Sequence, residues 1–202
     1  MIWDGSEPPG RVITCRNRNR NRVHSDSIGK IGDILGNGHM RVGVGYDVHR
    51  LESGNPLIIG GVRIAFDRGL KGHSDADVLT HAICDAILGA AGLGDIGHLF
   101  PDTDPVYRNI NSLKLLGQVV DMTHRKGMQV VNIDATVMAQ APKMSPYRQE
   151  MQANIAEAAS IENTRVNVKA TTTEGLGWIG RQEGIGAMAI ALLTVQLPAE
   201  PA

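Results

Sequence analysis

The sequence predicts an α+β domain in which a mixed β-sheet has helices packed on one face. Residues 41–46 alternate Val with Gly, which is typical of a strand, and residues 56–66 have the pattern of a hairpin turning at Gly60 and Gly61. Residues 74–91 instead repeat apolar side chains at helical spacing. Because hairpins and helices mix along the chain without regular alternation, we expect the helices to cover one side of the sheet.

The helix at 74–91 begins with Ser74 and Asp77, the spacing of a capping box, and residues 92–97 are expected to end it. Proline and aspartate make residues 100–104 a predicted loop. The remaining predicted elements are a helix capped by Ser112 and closed by Lys126 and Gly127, a strand at 130–139, a helix at 148–159, a strand at 166–171 and a final strand at 185–197.

Residues 1–40 differ from the rest of the chain. They contain Pro8-Pro9-Gly10 and an Arg-Asn repeat from Arg16 to Arg22, without the periodic apolar residues that would let the segment bury itself. We interpret them as a flexible N-terminal extension, which is a tag, a start placed too early with Met40 as the true start, or a targeting segment. Residues 41–202 are expected to form one folded domain.

The composition argues against several classes of protein. Among 202 residues, 20 Lys and Arg balance 21 Asp and Glu, so the net charge of −1 gives no general attraction to nucleic acid or to an anionic membrane. No apolar run is long enough to span a bilayer, and the two cysteines suggest no disulfide framework. We expect a bacterial cytoplasmic protein, or one of the plastid stroma if residues 1–40 are a transit segment.

Carboxylates and imidazoles gather around the first strand and the first helix. Asp77, His81 and Asp85 follow one another at i, i+4 and i+8 on one helix face, and Asp47 and His49 are two residues apart, on the same side of a strand. Asp47, His49 and His81 are ligands that zinc accepts, and three such ligands leave a fourth position open for catalysis. Taken alone, the same residues also fit a solvated strand end and a hydrogen-bonded helix histidine.

Six motifs extend this pattern along the chain, and we group them by their order. They are Asp47-Val48-His49, His73-Ser74-Asp75-x-Asp77, Asp95-Ile96-Gly97, Phe100-Pro101-Asp102-Thr103-Asp104, Ala139-Gln140-Ala141-Pro142-Lys143-Met144, and Thr171-Thr172-Thr173-Glu174 through Gly180-Arg181. In this order, the region 41–197 resembles the 2-C-methyl-D-erythritol 2,4-cyclodiphosphate synthase family. The resemblance implies a trimer-forming cyclodiphosphate synthase-like fold for residues 41–202, with active sites between subunits of a homotrimer.

The activity implied by the resemblance is that of a phosphorus-oxygen lyase of the non-mevalonate pathway of isoprenoid and terpenoid biosynthesis. It cyclises 4-diphosphocytidyl-2-C-methyl-D-erythritol 2-phosphate to 2-C-methyl-D-erythritol 2,4-cyclodiphosphate and releases CMP. Zn²⁺ or another divalent transition metal is expected at Asp47, His49 and His81, and Mg²⁺ or Mn²⁺ at Glu174 with the substrate phosphates. We expect Asp77 or Asp85 to orient His81.

The resemblance also assigns substrate contacts. It implies that His73 and Thr172 are the catalytic residues, which contact the reacting phosphates. The methylerythritol part is expected at Asp95, Ile96, Gly97, Phe100, Pro101, Asp102, Thr103 and Asp104. Cytosine is expected at Ala139, Gln140, Ala141, Pro142, Lys143, Met144 and Ser145. The other expected contacts are Asp47, Val48, His49, Ser74, Thr171, Thr173, Glu174, Trp178 and Arg181. Trp178 stands where the family commonly has Phe, and Ser145 where an aliphatic residue is usual.

Two other functions remain open at this stage. A zinc phosphoesterase would use the same three ligands to activate water and would release inorganic phosphate or open-chain products. A non-catalytic trimeric module would bind a cytidine nucleotide without turnover. By family analogy, a downstream isoprenoid diphosphate is a further candidate ligand on the trimer axis.

Overall fold

The computed structural model describes residues 39–195. Seven strands occur in these residues: β1 Met40–Ser53, β2 Leu57–Ile59, β3 Val62–Ile64, β4 Arg68–Leu70, β5 Met128–Met138, β6 Val166–Thr171 and β7 Gly184–Val195. The helices of the same region are α1 Val78–Ala91, α2 Ile96–Leu99, α3 Ser112–Arg125, α4 Arg148–Ala158 and α5 Gly177–Gly180. The predicted boundary at residue 40 stays a prediction, because residues 1–38 lie outside the described part of the chain.

Five of the strands form one sheet in the order β4-β1-β7-β5-β6, and β2 pairs with β3 as a separate hairpin. β1 runs antiparallel to β7 from Met40 opposite Thr194 to Arg50 opposite Gly184. β5 is antiparallel to β7 but parallel to β6. The sheet is therefore mixed, which confirms the predicted α+β class.

Helix α1 packs directly on the sheet and is buried along almost its whole length. The close approach depends on Gly43 and Gly45 of β1, because a Cβ atom at Gly45 would overlap the carbonyl oxygen of Ala82. Small residues on α1 and glycines on β1 thus bring the two backbones together. This contact brings His81 of α1 to Asp47 and His49 of β1.

The opposite face of the sheet carries exposed apolar side chains, and we name it the open face. It consists of Val42, Val44 and Tyr46 of β1 with Met188 and Ile190 of β7, and Val42 and Val44 are 68% and 63% exposed. Strand alternation explains the pattern, since the residues between them face α1. A contiguous apolar surface of this kind on a sheet is typical of an interface between proteins.

Several predicted elements are confirmed with corrected bounds. β1 continues through Asp47 and His49 to Ser53, so both ligands lie within a strand and not at its end. Helix α1 begins at Val78 because the buried Asp77 acts as its N-cap, whereas the capping box predicted a start at Ser74. Asn111, not Ser112, caps α3 by accepting the Leu113 N–H.

The short elements were missed by the sequence analysis. β4, α2 and α5 contain three or four residues each, too few for a periodic pattern. The hairpin at Gly60 and Gly61, the helix at 148–159 and the strand at 166–171 are confirmed. The last two residues predicted for the final strand lie outside the described region. Within residues 39–195, none of the helices has the length and apolar character needed to cross a bilayer.

Candidate active site

Three predicted metal ligands meet between β1 and α1. His49 Nε2 lies 2.9 Å and His81 Nδ1 lies 3.1 Å from Asp47 Oδ2, and the two nitrogens are 3.1 Å apart. Asp47, His49 and His81 form the one group of three or more His, Cys, Asp or Glu side chains in residues 39–195 that could hold an ion, and their ligand atoms lie within 4.8 Å of one another. One carboxylate and two imidazoles are a donor set that suits a tetrahedral zinc ion with an open fourth position.

Both imidazole rings are oriented by hydrogen bonds from the nitrogen that faces away from the group. His49 Nδ1 lies 2.6 Å from the carbonyl oxygen of Lys71, so it donates to that oxygen. His81 Nε2 lies 2.9 Å from the hydroxyl of Ser112 and 3.1 Å from that of Ser74. His49 Nε2 and His81 Nδ1 are therefore the nitrogens presented toward Asp47.

In the metal-free chain, Asp47 and His49 each favour the charged form of the other. Burial alone would raise the pKa of Asp47, but hydrogen bonds from His49 and His81 outweigh burial and hold this pKa well below its ordinary value. Burial would likewise lower the pKa of His49, but its hydrogen bond to Asp47 and the charge of Asp47 raise that pKa above its ordinary value. A cation bound here would compete with a proton for His49 Nε2.

The prediction that Asp77 or Asp85 orients His81 is wrong. Both carboxylates lie on the expected helix, but each is occupied by backbone donors elsewhere. Asp77 accepts hydrogen bonds from the N–H groups of Gly60 and Gly61, and burial raises its pKa. Asp85 accepts the N–H of Ile96 at 2.8 Å, and burial raises its pKa as well.

An open cavity of about 270 Å³ lies beside the three ligands, and we name it the first cavity. Eight predicted residues line it: His49, His73, Ser74, His81, Ile96, Gly97, Phe100 and Asp102. Tyr107 also lines the cavity and packs edge-on against Phe100. Tyr107 was not predicted, since an aromatic residue in an irregular segment has no periodic signal.

Other residues predicted to contact methylerythritol support the walls of the first cavity. Asp95 caps α2 through its side chain, which accepts a backbone N–H of that helix. The carbonyl oxygen of Asp104 lies 3.2 Å from His73 Nε2. Pro101 and Thr103 belong to the same loop but do not line the cavity.

A second cavity of about 320 Å³ collects the residues predicted to bind cytosine. Its lining comprises Ala139, Gln140, Ala141, Pro142, Lys143, Met144, Ser145, Ala170, Thr171 and Thr172. Ala170 was not predicted, because its place follows only from the pairing of β6 with β5. Backbone groups of the 139–145 segment are thus gathered around one concave surface.

The loop after β6 is held by local hydrogen bonds. The hydroxyl of Thr172 donates to Glu174 at 2.8 Å, that of Thr173 donates to a backbone carbonyl, and Gln140 accepts the N–H of Gly175. Glu174 is exposed and lies outside the group formed by the three metal ligands. Its role as the ligand of a second metal stays a prediction.

The last predicted contacts lie on the side of the open face. Val48 and Thr171 alternate onto that face, opposite to the metal ligands, and the ring of Trp178 lies against it over Gly186. Arg181 forms a 2.6 Å ion pair with Glu183 and lines neither cavity. Within one chain, those predicted substrate residues that line a cavity are divided between two cavities that share no lining residue.

The fold and the three facing side chains define the class of protein: an α+β domain with an Asp-His-His group that could hold a metal ion beside an open cavity. The chain belongs to the YgbB family, whose sequence model matches residues 40–194.

Named relatives agree with this assignment. The chain is similar to the 2-C-methyl-D-erythritol 2,4-cyclodiphosphate synthase of Desulfatibacillum aliphaticivorans, with 62% identity over 76% of this chain and 99% of the relative. It is 58% identical to the synthase of Enterococcus faecalis, over 76% of this chain and 98% of the relative. A solved structure of Plasmodium falciparum IspF in complex with CDP matches with a TM-score of 0.69 and 35% identity, over 78% of this chain and 97% of that chain.

Proposed function

We propose that this chain converts 4-diphosphocytidyl-2-C-methyl-D-erythritol 2-phosphate into 2-C-methyl-D-erythritol 2,4-cyclodiphosphate and CMP. In this reaction an oxygen of the 2-phosphate bonds to the β-phosphorus, and the bond between that phosphorus and the oxygen shared with the α-phosphate breaks. No water is added and CMP takes the electron pair. The proposal is carried by the position of Asp47, His49 and His81 beside a cavity lined by His73 and Ser74, in a chain of this family.

Both reacting groups are anions, so the protein must neutralise charge and align two phosphates. Asp47, His49 and His81 fit a zinc ion, which when bound supplies a Lewis acid for the β-phosphate. His73 and Ser74 are placed on the wall of the same cavity, where they can donate hydrogen bonds to phosphate oxygens. Glu174 would hold Mg²⁺ or Mn²⁺, which would offset the negative charge that develops on the departing CMP.

The cytidine end of the substrate would occupy the second cavity. Backbone groups of the 139–145 segment can read the edge of the base, and Lys143 provides positive charge for the phosphates. A structure with CDP among the relatives supports a cytidine nucleotide as the ligand. Thr172 lines this cavity, which suits a role at the phosphates near its mouth.

We also propose that the active site is completed between subunits of a homotrimer. The two cavities share no lining residue, and the metal ligands face α1 while Thr171 faces the open face. The open face is apolar enough to be covered by another copy. A cytoplasmic location and an isoprenoid diphosphate on the trimer axis stay predictions.

Phosphorus NMR of the substrate incubated with the protein, Zn²⁺ and Mg²⁺ tests the reaction. We expect stoichiometric CMP and cyclic diphosphate from the native chain, and neither from His49→Ala. His124→Ala is the matched control, because this histidine is exposed on α3 outside the site. Inorganic phosphate or an open-chain product would favour a phosphoesterase, and CMP binding without turnover would favour a non-catalytic nucleotide-binding module.

A further inference from the structure

Behind His81, a chain of hydrogen bonds leads away from the metal ligands to Asp75. His81 Nε2 lies 2.9 Å from the hydroxyl oxygen of Ser112. That hydroxyl is in turn hydrogen-bonded to Asp75 Oδ1, and the backbone N–H of Ser112 donates to Asp75 Oδ2 at 3.0 Å. Ser112 is completely buried, so water does not reach its hydroxyl. Ser74 Oγ lies 3.1 Å from the same nitrogen, accepts the N–H of Ala76, and lies 3.3 Å from Ser112 Oγ, to which its hydroxyl can donate.

The direction of each bond follows from the chemistry of the groups. An ionised carboxylate can only accept, so Asp75 receives both the N–H and the O–H of Ser112. The oxygen of Ser112 then has only lone pairs to offer His81. Because Ser112 Oγ is the nearer of the two hydroxyl oxygens and can only accept, His81 donates to it from Nε2, and Nδ1 is the nitrogen that faces Asp47 and His49.

We propose that Asp75, acting through Ser112, is a positioning residue that keeps the proton of His81 on Nε2 and so presents Nδ1 to the metal. The inference rests on the metal site of the proposed function. His49 receives the equivalent support from the Lys71 carbonyl, a backbone group that no side-chain substitution removes. His81 is thus the ligand whose tautomer depends on side chains, and outer partners of this kind typically change metal affinity by about 10–100-fold.

Asp75→Asn is the most informative substitution, because it keeps the shape and changes only the direction of the bonds. The new amide group cannot face the Ser112 N–H, which is a donor 3.0 Å away. The NH₂ group will instead take the position of Oδ1 and face the Ser112 hydroxyl. The only other donor bonded to Oδ1 is the Asp77 N–H, and this bond is long, at 3.4 Å. The amide then donates to Ser112, which turns its own proton toward His81 Nε2 and drives the histidine proton to Nδ1.

The tautomer is measured by nitrogen-15 NMR of the imidazoles in the full-length, metal-free chain, and zinc affinity by competition with a chelating dye. We expect the native His81 to carry its proton on Nε2. Asp75→Asn should move that proton to Nδ1, and Ser112→Ala should give a mixture, with zinc affinity about 10–100-fold weaker in both. Thr123→Val is the matched control, a buried hydroxyl on the same helix bonded to the Val119 carbonyl, and should change neither quantity.

A native His81 protonated on Nδ1 and not on Nε2, or a tautomer and affinity untouched by both substitutions, would overturn the inference. Equal weakening of zinc binding by Thr123→Val would also overturn it, since the effect would then come from packing. Failure of the proposed function has a different signature. In that case, the native chain and the Asp47→Ala variant would bind zinc equally weakly while the tautomers still respond to Asp75→Asn.

Discussion

Replacing Asp77 with alanine tests whether this residue is a structural clamp and not a partner of the metal site. Its carboxylate joins the start of α1 to the β2–β3 hairpin. Oδ1 accepts the N–H groups of Gly60 at 2.9 Å and Thr80 at 3.0 Å, and Oδ2 accepts the Gly61 N–H at 2.7 Å and the Thr80 hydroxyl at 2.8 Å. Asp77 is fully buried, so alanine would leave these donors without water to replace the carboxylate.

The expected loss of stability follows from these four bonds. Loss of an N-cap costs about 0.5–2 kcal/mol, and each buried donor left without a partner costs about 1–3 kcal/mol. The desolvation of the carboxylate, which is relieved in the variant, offsets part of this loss. We expect Asp77→Ala to lower the free energy of unfolding by about 3–5 kcal/mol, within the range for a broken buried network. Asp77→Asn keeps one acceptor oxygen and should cost about 1–3 kcal/mol.

Urea unfolding of the metal-free protein measures these changes, at one chain concentration because association would add to the apparent stability. Asp121→Ala, an exposed aspartate on α3, is the control and should stay within about 0.5 kcal/mol of the native chain. A loss below about 1 kcal/mol for Asp77→Ala would refute the clamp. If Asp77→Asn unfolded at the same free energy as the native chain but bound zinc more weakly, Asp77 would be a partner of the metal site and not a structural clamp.

Three further predictions concern packing, pH and assembly. Gly45→Ala should destabilise the chain by about 1–3 kcal/mol or more, because its Cβ would overlap the backbone of α1. Gly89→Ala, at an exposed position within the helix, should instead stabilise the chain by about 0.5–1 kcal/mol. Thermal melts measure both changes, and equal effects of the two substitutions would contradict the packing argument. The raised pKa of His49 contributes stability to the metal-free protein that is fully present below the unfolded pKa of about 6.5 and is lost as pH rises through the folded pKa. The urea midpoint of the native chain should therefore fall as pH rises above about 6.5, and that of His49→Ala should not. A midpoint of the native chain that rises with pH would contradict this prediction. Val44→Lys places a charge on the open face and should lower the mass seen by light scattering, together with activity; an unchanged mass would mean that this face is not the interface.

The metal ligands could be predicted because their signals are local. Asp47 and His49 are two residues apart, so any strand places both on one side. The helix that holds His81 is defined by the apolar periodicity of its own residues. The family motifs then indicated that these two elements meet, which the structure confirms.

The partners of these ligands could not be predicted in the same way. Asp77 and Asp85 share the helix with His81, and helical spacing favoured them as its supports, yet their carboxylates bind backbone groups of the hairpin and of α2. Ser112 takes that place from 31 positions away along the chain. Every residue except proline has a backbone N–H, so the sequence does not indicate which of these donors will bind a given buried carboxylate. The hydrogen-bond partners of Asp77 and Asp85 therefore could not be predicted before the fold was known.

The sequence by itself determined the main helices and strands, since each depends on residues within one or two turns or strand steps of one another. The order of these elements and of the family motifs along the chain indicated the class of fold and the three ligands. The tertiary structure decided the strand order, the division of the substrate residues between two cavities, and the hydrogen bonds that orient the two histidines. These depend on which distant groups come within about 3 Å, the range over which a hydrogen bond forms. For the three ligands, that distance is set by the packing of α1 on the glycines of β1.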